Sequence, residues 1–279
     1  MTTTSGTTGG EPTDGSGTTL RVTVCELTAA GPGEPAWTAL AAGLRDTRTE
    51  LLVLPEMPWA PWLAAAPAFD PGAWRSALAA HDEGVRSLPA LGVPAVVSSR
   101  PVERAGRRRN EAFLWTERDG YRPLHLKSRL PAEDGFWEQV WFDPGPEPAA
   151  TGAGHGPAVV AAAICSELWH FERARTAGRA GVNLLVTPRA TSAGWTERWL
   201  LAGRAAALSG GAFSVSANRA AGDGVESGFG GCGWIIDPDG EVLGRTSAAE
   251  PLVTREIDLG AAERARATYP RNLVGPGTG

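Results

Sequence analysis

The sequence VVAAAICSELW, at residues 159–169, decides the fold. It begins with a short run of small and β-branched apolar residues, a pattern typical of a fully buried strand. The run ends at Cys165, polar Ser166 and Glu167 follow directly, and a helix-like segment covers residues 169–179. In open α/β sheets, ligand sites lie just beyond the carboxyl ends of the strands. The stretch by itself fits either a reactive thiol at a sheet edge or a buried structural cysteine.

Strands and helices alternate on both sides of this stretch. Residues 20–27 and 51–54 are predicted strands with a helix between them, which makes a βαβ unit with parallel strands. Residues 128–157 are rich in proline and glycine and are predicted to be irregular. The predicted helices cover residues 36–48, 72–91, 169–179 and 197–209. The predicted strands cover residues 20–27, 51–54, 93–99, 111–116, 121–126, 159–164, 182–187, 212–217, 232–237, 241–245 and 252–257. This order predicts an α/β fold in which two mixed sheets pack together, with helices on the outer faces.

Length and composition exclude several classes of protein. The chain has 279 residues, 42% of them hydrophobic, which is enough for one large α/β unit with a substantial core. A net charge of −5 does not favour a nucleic-acid partner. The three cysteines are too few, and odd in number, for a disulfide framework, and they favour a reducing compartment. No apolar run approaches the roughly 18 residues of a membrane helix. We expect a cytoplasmic protein with no membrane partner.

The two ends of the chain differ from its middle. Residues 1–19 are rich in threonine, glycine and serine and lack the apolar region of a secretory signal, so we expect a disordered tail. Residues 20–260 contain no linker and are predicted to form a single domain. Residues 261–279 are polar, end in GPGTG, and are predicted to be a second tail.

Three polar residues each follow an apolar strand: Glu56, Lys127 and Cys165. In a mostly parallel sheet such positions converge on one edge. A thiolate is a strong nucleophile, a carboxylate can take its proton and return it to a leaving group, and an ammonium can stabilise an oxyanion. Each residue alone could be structural, as a cap, a turn acid or a solvated strand end. Together they predict a site for nucleophilic catalysis.

At this point the chain resembles the nitrilase superfamily of carbon–nitrogen hydrolases. The matching sequence motifs are LLVLPE at 51–56, LHLKSRLP at 124–131, ICSELWHFE at 164–172, NLLVTPRA at 183–190 and FGGCGWIIDPDGEVL at 229–243. The strand that begins at Asn110, before the lysine, also matches. The resemblance covers roughly residues 20–260. Each motif alone is weak evidence for the family. Several motifs in the family's order, each on the expected strand or helix, make the resemblance specific.

The resemblance implies a catalytic triad of Glu56, Lys127 and Cys165, with no cofactor. It also implies a four-layer αββα sandwich of the nitrilase type that pairs into a homodimer or higher homo-oligomer. The family often has a second glutamate after the lysine, and EQVWFDPG at residues 138–145 matches its context. Glu138 is therefore the fourth predicted catalytic residue, expected to hold Lys127 and orient substrate. Glu133 is a rival whose spacing fits less well.

Further residues are predicted to bind substrate. The backbone N–H of Ser166 would help to stabilise the oxyanion. Arg189, just after a strand, could meet a substrate carboxylate. Tryptophans near the trio either line a pocket or simply pack over the sheet edge. Those assigned to the pocket are Trp59, Trp137, Trp141 and Trp169.

Other polar side chains are predicted to be structural. His125 is expected to be a packing neighbour of Lys127 rather than a base. Arg173 belongs to a solvated helical face, and residues 107–109, three arginines, to a solvated loop. Cys25 and Cys232 are expected within core strands. No cysteine and histidine cluster has the spacing of a zinc site, so no metal is expected.

The predicted reaction is hydrolysis of a small linear amide through a cysteine thioester, which releases ammonia or an amine. A nitrilase would use the same three residues, but Ser166 in place of the tryptophan common in nitrilases favours an amide. An N-carbamoyl amidohydrolase is a further alternative, although the paired arginines that some such enzymes carry after the nucleophile are missing. A catalytically silent binding module on this scaffold is the alternative from another class. Phe171-Glu172 replaces the usual Pro-Glu, and the C-terminal arm of many relatives is short or absent.

Overall fold

The fold was analysed in a computed structural model, which describes residues 18–147, 152–226 and 228–273. The strands are β1 (Thr19–Leu27), β2 (Leu51–Glu56), β3 (Ala95–Arg104), β4 (Arg107–Thr116), β5 (Gly120–Leu126), β6 (Ala153–His155), β7 (Ala158–Ala162), β8 (Leu184–Arg189), β9 (Phe213–Arg219), β10 (Trp234–Ile236), β11 (Val242–Arg245) and β12 (Leu252–Asp258). The helices are α1 (Pro35–Leu44), α2 (Pro71–Ser87), α3 (Glu138–Trp141), α4 (Phe171–Arg179), α5 (Thr196–Gly210) and α6 (Gly260–Arg266).

Strand β1 belongs to two mixed sheets at once. Its first part pairs in parallel with β2 and antiparallel with β12, whereas Glu26 and Leu27 at its end pair in parallel with β9. The main strand order is therefore β5-β4-β3-β2-β1-β9-β8-β7-β6, with β10 and β11 added beside β9. Strand β2 also contacts β8, which lies in the other sheet, so the two halves face each other.

Helices cover the outer faces of these sheets. Helix α2 contacts β3 on one side, and α5 contacts β9 and packs on α4 on the other. Because strands such as β2 and β9 are covered on both faces, every residue in them is buried, including the polar residues of β9. The layers run helix, sheet, sheet, helix, and the predicted αββα sandwich is confirmed.

The three arginines at residues 107–109 do not form the predicted loop. They begin β4 and pair with the end of β3, with Arg104 opposite Arg107. Ala105 and Gly106 both have positive φ, which is the conformation of a two-residue hairpin turn. The segment predicted to be irregular also contains regular structure, because α3 and β6 lie within it.

The predicted C-terminal tail is wrong for its first residues. Helix α6 occupies Gly260–Arg266, and Leu259, Ala262 and Ala265 are buried at a spacing of three residues. This apolar stripe packs the helix on the core. Residues 1–17 and 274–279 lie outside the described residues, so the tails predicted there stay predictions. The single-domain organisation of residues 20–260 also stays a prediction.

Two further features concern the cysteines and membrane helices. Cys25 lies in β1 and is buried, as predicted, whereas Cys232 precedes β10 and has a φ of 63°, so its placement within a strand is wrong. In the ranges that the structure describes, no helix has the length and apolar character needed to cross a membrane.

Helices α4 and α5 cross closely at Gly178, which supports a first prediction. A Cβ atom at this position would collide with the backbone carbonyl of Gly210, which cannot move without shifting α5. We expect Gly178→Ala to lower the free energy of unfolding by about 1–3 kcal/mol in urea denaturation. The control is Gly154→Ala, since a Cβ there meets no described atom within 4 Å. Equal stability of the two variants would contradict this close crossing.

Candidate active site

The end of β2 and the end of β5 place two oppositely charged side chains in contact. Glu56 is the last residue of β2, and Lys127 follows β5 directly. The Lys127 Nζ donates to Oε1 of Glu56 over 2.9 Å and to Oε1 of Glu138 over 2.7 Å. All three side chains are buried. The structure therefore brings together the acid, the amine and the second glutamate expected from the sequence.

Cys165 reaches the same place from the facing sheet. Strand β7 ends at Ala162, so the cysteine is not at the end of a strand but begins a 3₁₀ helix, Cys165–Trp169. Its Sγ donates to the carbonyl oxygen of Ala190 over 3.7 Å. The charges of Glu56 and Lys127 are close enough to influence its pKa. The four predicted catalytic residues thus form one cluster, which we call the Cys–Lys–Glu cluster.

The backbone of Cys165 is strained. Its φ is 48°, in the left-handed region that residues with a side chain rarely adopt. Such a conformation costs on the order of 1–3 kcal/mol and persists only where surrounding structure enforces it. Here Glu167 enforces it, because its carboxylate accepts from the N–H of Ile164 and its own N–H donates back to the Ile164 carbonyl.

Each glutamate of the cluster keeps one carboxylate oxygen unbonded. Asn110, in β4, donates to Oε1 of Glu56 over 2.7 Å, the oxygen that also accepts from Lys127. Within the described part of the chain, Oε2 of Glu56 and Oε2 of Glu138 are buried and have no hydrogen-bond partner. Buried polar atoms without a partner are rare and costly. These two oxygens are where a substrate, a water or a transferred proton would be held.

A buried arginine, Arg219, holds the backbone that follows Glu56. Arg219, at the end of β9, donates to the carbonyls of Glu56, Met57 and Ala60. It stabilises the turn after β2, where Met57 has a φ of 47°. No local sequence pattern pointed to this role, since Arg219 ends a strand, FSVSANR, in which polar and apolar residues alternate.

The segment that carries Glu138 is fixed against β4 and Lys127. Arg108 donates to the Val140 carbonyl over 3.2 Å, and its own carbonyl accepts from the Asp143 N–H over 2.7 Å. The Gly145 N–H donates to the Lys127 carbonyl over 2.8 Å. Arg108 is thus part of the support of the site and not, as predicted, a solvated loop residue.

Burial and mutual charge set the protonation of the cluster. Burial and the charge of Glu56 raise the pKa of the Cys165 thiol well above its usual range, so at neutral pH it carries its proton. Burial alone would lower the pKa of Lys127, but the charges of Glu138 and Glu56 outweigh it and raise that pKa. For Glu138, burial and the charge of Glu56 win over the attraction of Lys127 and raise its pKa to about 8. One ammonium therefore serves two carboxyl groups, and the pKa of the second, Glu138, is raised.

Most of the tryptophans predicted to bind substrate are used in packing. Trp59 stacks on Phe113 in the main core, and the Trp141 indole donates to the Ala66 carbonyl. Both line a groove of about 520 Å³ that none of the cluster residues borders. The structure thus does not place them against the cluster, because their apolar rings fill the space over the first sheet. Trp169 is 37% exposed and packs on Trp199.

Three other predicted binding residues differ in their freedom to meet a substrate. Arg189 is buried, and its guanidinium donates to Ser216, Thr191 and the carbonyl of Cys232. These bonds hold it in the fold, so the structure does not present it to a substrate carboxylate. Trp137 and Ser166 are half-buried. The Ser166 hydroxyl donates to the carbonyl of Arg129, and its N–H follows the thiol directly.

The raised pKa of Glu138 supports a prediction on pH and stability. Between the ordinary value of about 4.5 and the folded value of about 8, the folded chain holds a proton that the unfolded chain releases. This stabilisation is complete below about pH 4.5 and is lost as the pH rises through 8. In urea denaturation, we expect the free energy of unfolding of the wild type, relative to that of Glu138→Gln, to fall as the pH rises from about 4.5 to about 8. The control is Glu133→Gln, at an exposed acid of the same segment, whose free energy of unfolding should change with pH as that of the wild type does. If both variants followed the wild-type pH dependence, the raised pKa of Glu138 would be refuted.

Solved structures of similar fold cover nearly the whole chain. A carbon–nitrogen hydrolase from Helicobacter pylori G27 superposes with a TM-score of 0.78 at 20% identity, over 91% of this chain and 94% of that one. An amidase from Nesterenkonia sp. superposes with a TM-score of 0.67 at 22% identity, over 91% of this chain and 95% of that one. At these identities the likeness concerns the fold alone.

Comparisons of sequence agree with the structural ones. A curated relative, the glutamine-dependent NAD(+) synthetase of Rhodobacter capsulatus, is 29% identical over 277 residues. The match covers 92% of this chain but 46% of that protein, so the chain spans about half the length of this relative. The family model for carbon–nitrogen hydrolases matches residues 29–267, which is most of the chain and includes every residue of the cluster. The chain therefore belongs to the carbon–nitrogen hydrolase family.

Proposed function

We propose that this chain hydrolyses the carbon–nitrogen bond of a small linear amide, with Cys165 as nucleophile and Glu56 as general base and acid. The observation that carries the proposal is the Lys127 ammonium, which lies buried between two carboxyl groups within electrostatic reach of a strained thiol. A buried ammonium has to be paired, but a purely structural pair would need only one carboxylate. The second glutamate and the adjacent thiol favour chemistry over packing.

The first step follows from the protonated thiol. Because the pKa of Cys165 is raised, its proton has to leave as sulfur attacks the carbonyl carbon. The unbonded Oε2 of Glu56 can take that proton. The carbonyl oxygen becomes an oxyanion, which the Lys127 ammonium and the Ser166 N–H stabilise. Lys127 has three N–H donors and uses two on the glutamates, so one remains for the oxyanion.

The remaining steps return the proton. As the tetrahedral intermediate collapses, the carbon–nitrogen bond breaks and Glu56 gives its proton to the leaving nitrogen, which departs as ammonia or an amine. A water molecule then attacks the thioester while Glu56 accepts a proton from it. The carbon–sulfur bond breaks, the acid is released, and the proton on Glu56 returns to sulfur. Glu138 keeps Lys127 oriented throughout and does not exchange atoms with the substrate.

Three alternatives share parts of this site. A nitrilase would use the same nucleophile, base and ammonium on a carbon–nitrogen triple bond, and an N-carbamoyl amidohydrolase would use them on a carbamoyl group. The name of the Rhodobacter capsulatus relative, a glutamine-dependent synthetase, makes the side-chain amide of glutamine one candidate within the proposed class. A silent binding module would keep the fold without turnover.

Assembly and location complete the proposal. We infer a homodimer or a higher homo-oligomer in the cytoplasm, with the small amide or nitrile as the other partner. Exposed apolar side chains on and just before α5 support self-association, since Trp195 and Leu201 are both at least half exposed.

Removal of the thiol tests the proposal. We expect Cys165→Ala to abolish ammonia or amine release, measured on a panel of short amides, glutamine, short nitriles and N-carbamoyl compounds, because no other side chain of the cluster can form the thioester. The fold should persist in circular dichroism, since only one sulfur atom is lost. Cys25→Ala, at another buried cysteine, is the control and should keep turnover. Turnover in folded Cys165→Ala would refute the proposal.

The substrate panel and an alkylation assay separate the alternatives. Turnover of nitriles or carbamoyl compounds without amides would replace the proposed substrate class. If nothing on the panel is turned over, iodoacetamide labelling followed by mass spectrometry identifies a silent module, in which all three buried thiols react slowly. In an enzyme, Glu56 accepts the proton of Cys165 as sulfur attacks the reagent, so this thiol reacts first. Preferential labelling of Cys165 supports an enzyme with another substrate.

A further inference from the structure

Glu167 connects the segments that carry Lys127 and Cys165, which follow strands β5 and β7. Its Oε2 accepts from the N–H of Ile164 over 2.8 Å, and its Oε1 accepts from the N–H and the hydroxyl of Ser128, both over 2.9 Å. Ile164 directly precedes Cys165, and Ser128 directly follows Lys127. One carboxylate is therefore bonded to the backbone next to the thiol and to the backbone next to the ammonium.

Strands β5 and β7 do not pair with each other. Strand β5, which leads to Lys127, pairs with β4, whereas β7, which leads towards Cys165, pairs with β6 and β8. The two strands lie near opposite ends of the strand order and meet only face to face. Their relative position is thus not fixed by a hydrogen-bonded ladder. Among the bonds of the described residues, those to Glu167 join the two segments, together with the bond from the Ser166 hydroxyl to the Arg129 carbonyl over 2.7 Å.

The carboxylate is kept charged by its surroundings. Arg173 lies 2.9 Å from Oε1, and the Nε2 of His125 lies 2.8 Å from both oxygens. We assign the ring proton to Nε2, because an unprotonated nitrogen at this distance would repel the carboxylate. The Arg173 guanidinium nitrogen that lies 3.0 Å from Nε2 then donates to Glu167 and not to the ring. Burial would raise the pKa of Glu167, but the His125 hydrogen bond and the Arg173 charge lower it to about 2. The expectation that Arg173 is solvated is wrong, since it pairs with this buried acid.

We propose that Glu167 is a positioning residue, which sets the distance between the Cys165 thiol and the Lys127 ammonium by holding the two strand ends in register. The proposal rests on the proposed function, in which sulfur and ammonium act on the same carbonyl group. A displacement of about 1 Å between such groups costs roughly 100-fold in rate. The loss falls on kcat, because the oxyanion contact forms in the transition state and not in substrate binding.

The variant Glu167→Gln tests this role. The amide keeps one accepting oxygen but replaces the other with an NH₂ group, which cannot accept from a backbone N–H, so one of the two strand ends is released. We expect kcat to fall by about 100-fold while KM stays within about threefold, measured by product release from the best substrate of the panel.

The matched control is Glu26→Gln. Glu26 is also a buried acid that accepts from a backbone N–H, that of Cys232, and from the Thr246 hydroxyl, but it joins neither strand end. Both bonds of Glu26 end on Oε2, so the amide oxygen of a glutamine can keep them, and we expect a smaller loss of free energy of unfolding than in Glu167→Gln. If Glu167 mattered only for stability, kcat of the folded protein would be equal in the two variants. We expect kcat to be reduced in Glu167→Gln only.

Alkylation separates a failure of this proposal from a failure of the proposed function. If the wild type releases no product from any compound, the rate of Cys165 alkylation by iodoacetamide still reports the setting of the thiol. A slower rate in Glu167→Gln than in Glu26→Gln supports the positioning role even then. Wild-type values of both kcat and the alkylation rate in folded Glu167→Gln would overturn it.

A second variant covers the case in which Glu167→Gln does not fold. Glu167→Asp keeps the charge between His125 and Arg173, but its side chain is one methylene shorter and cannot reach both backbone N–H groups. We expect a loss of kcat of about tenfold or more with near wild-type stability. Unchanged kcat and alkylation in Glu167→Asp would equally overturn the proposal.

Discussion

The Lys127 ammonium, fully buried and shared by two carboxyl groups, is the interaction on which the rest of the site depends. An isolated ammonium could not be buried here, because its desolvation costs several kcal/mol. Two charge-assisted hydrogen bonds offset that cost. They also explain the four-residue helix α3, which is too short to be stable by itself and whose first residue is Glu138. The ammonium organises the end of β2, the end of β5 and this short helix around one point.

The sulfur comes from the facing sheet, which makes the face-to-face packing part of the site and not only of the fold. Strand β1 fixes how far apart the two sheets begin, since it pairs with β2 in one and with β9 in the other. Strands β5 and β7 lie near opposite ends of the strand order, and they contact each other across the two sheets without pairing. Side chains have to set the final distance between sulfur and ammonium. The strained φ of Cys165 and the bonds of Glu167 belong to this fine adjustment.

The sequence predicted the parts of the site that local patterns encode. Apolar runs such as LLVL identified the buried strands, and polar residues directly after them identified Glu56 and Lys127. Cys165 was placed near a sheet edge, but the 3₁₀ helix that carries it was missed, because apolar Ala163 and Ile164 extend the strand pattern beyond the true end of β7. Glu138 came from a resemblance and not from periodicity.

Partners of buried polar groups could not be predicted, because such pairings join distant parts of the chain. Arg219 bonds to carbonyls more than 150 positions away, and nothing near it in the sequence identifies these partners. Arg189 was expected to bind substrate for the same reason, since a strand-end arginine has the same sequence signature whether its guanidinium faces a ligand or Ser216.

The distribution of protons in the cluster explains why a carboxylate, and not a histidine, suits this chemistry. A cysteine with a histidine base rests as a thiolate beside an imidazolium, whereas burial keeps the Cys165 thiol neutral until the substrate arrives. An amide nitrogen is a poor leaving group unless it receives a proton when its bond breaks. In the proposed reaction the proton released by the thiol passes to Glu56, next to the same carbon, where it is available for the leaving nitrogen. The raised pKa of the thiol is compatible with this reaction, because the proton leaves sulfur only as the carbon–sulfur bond forms.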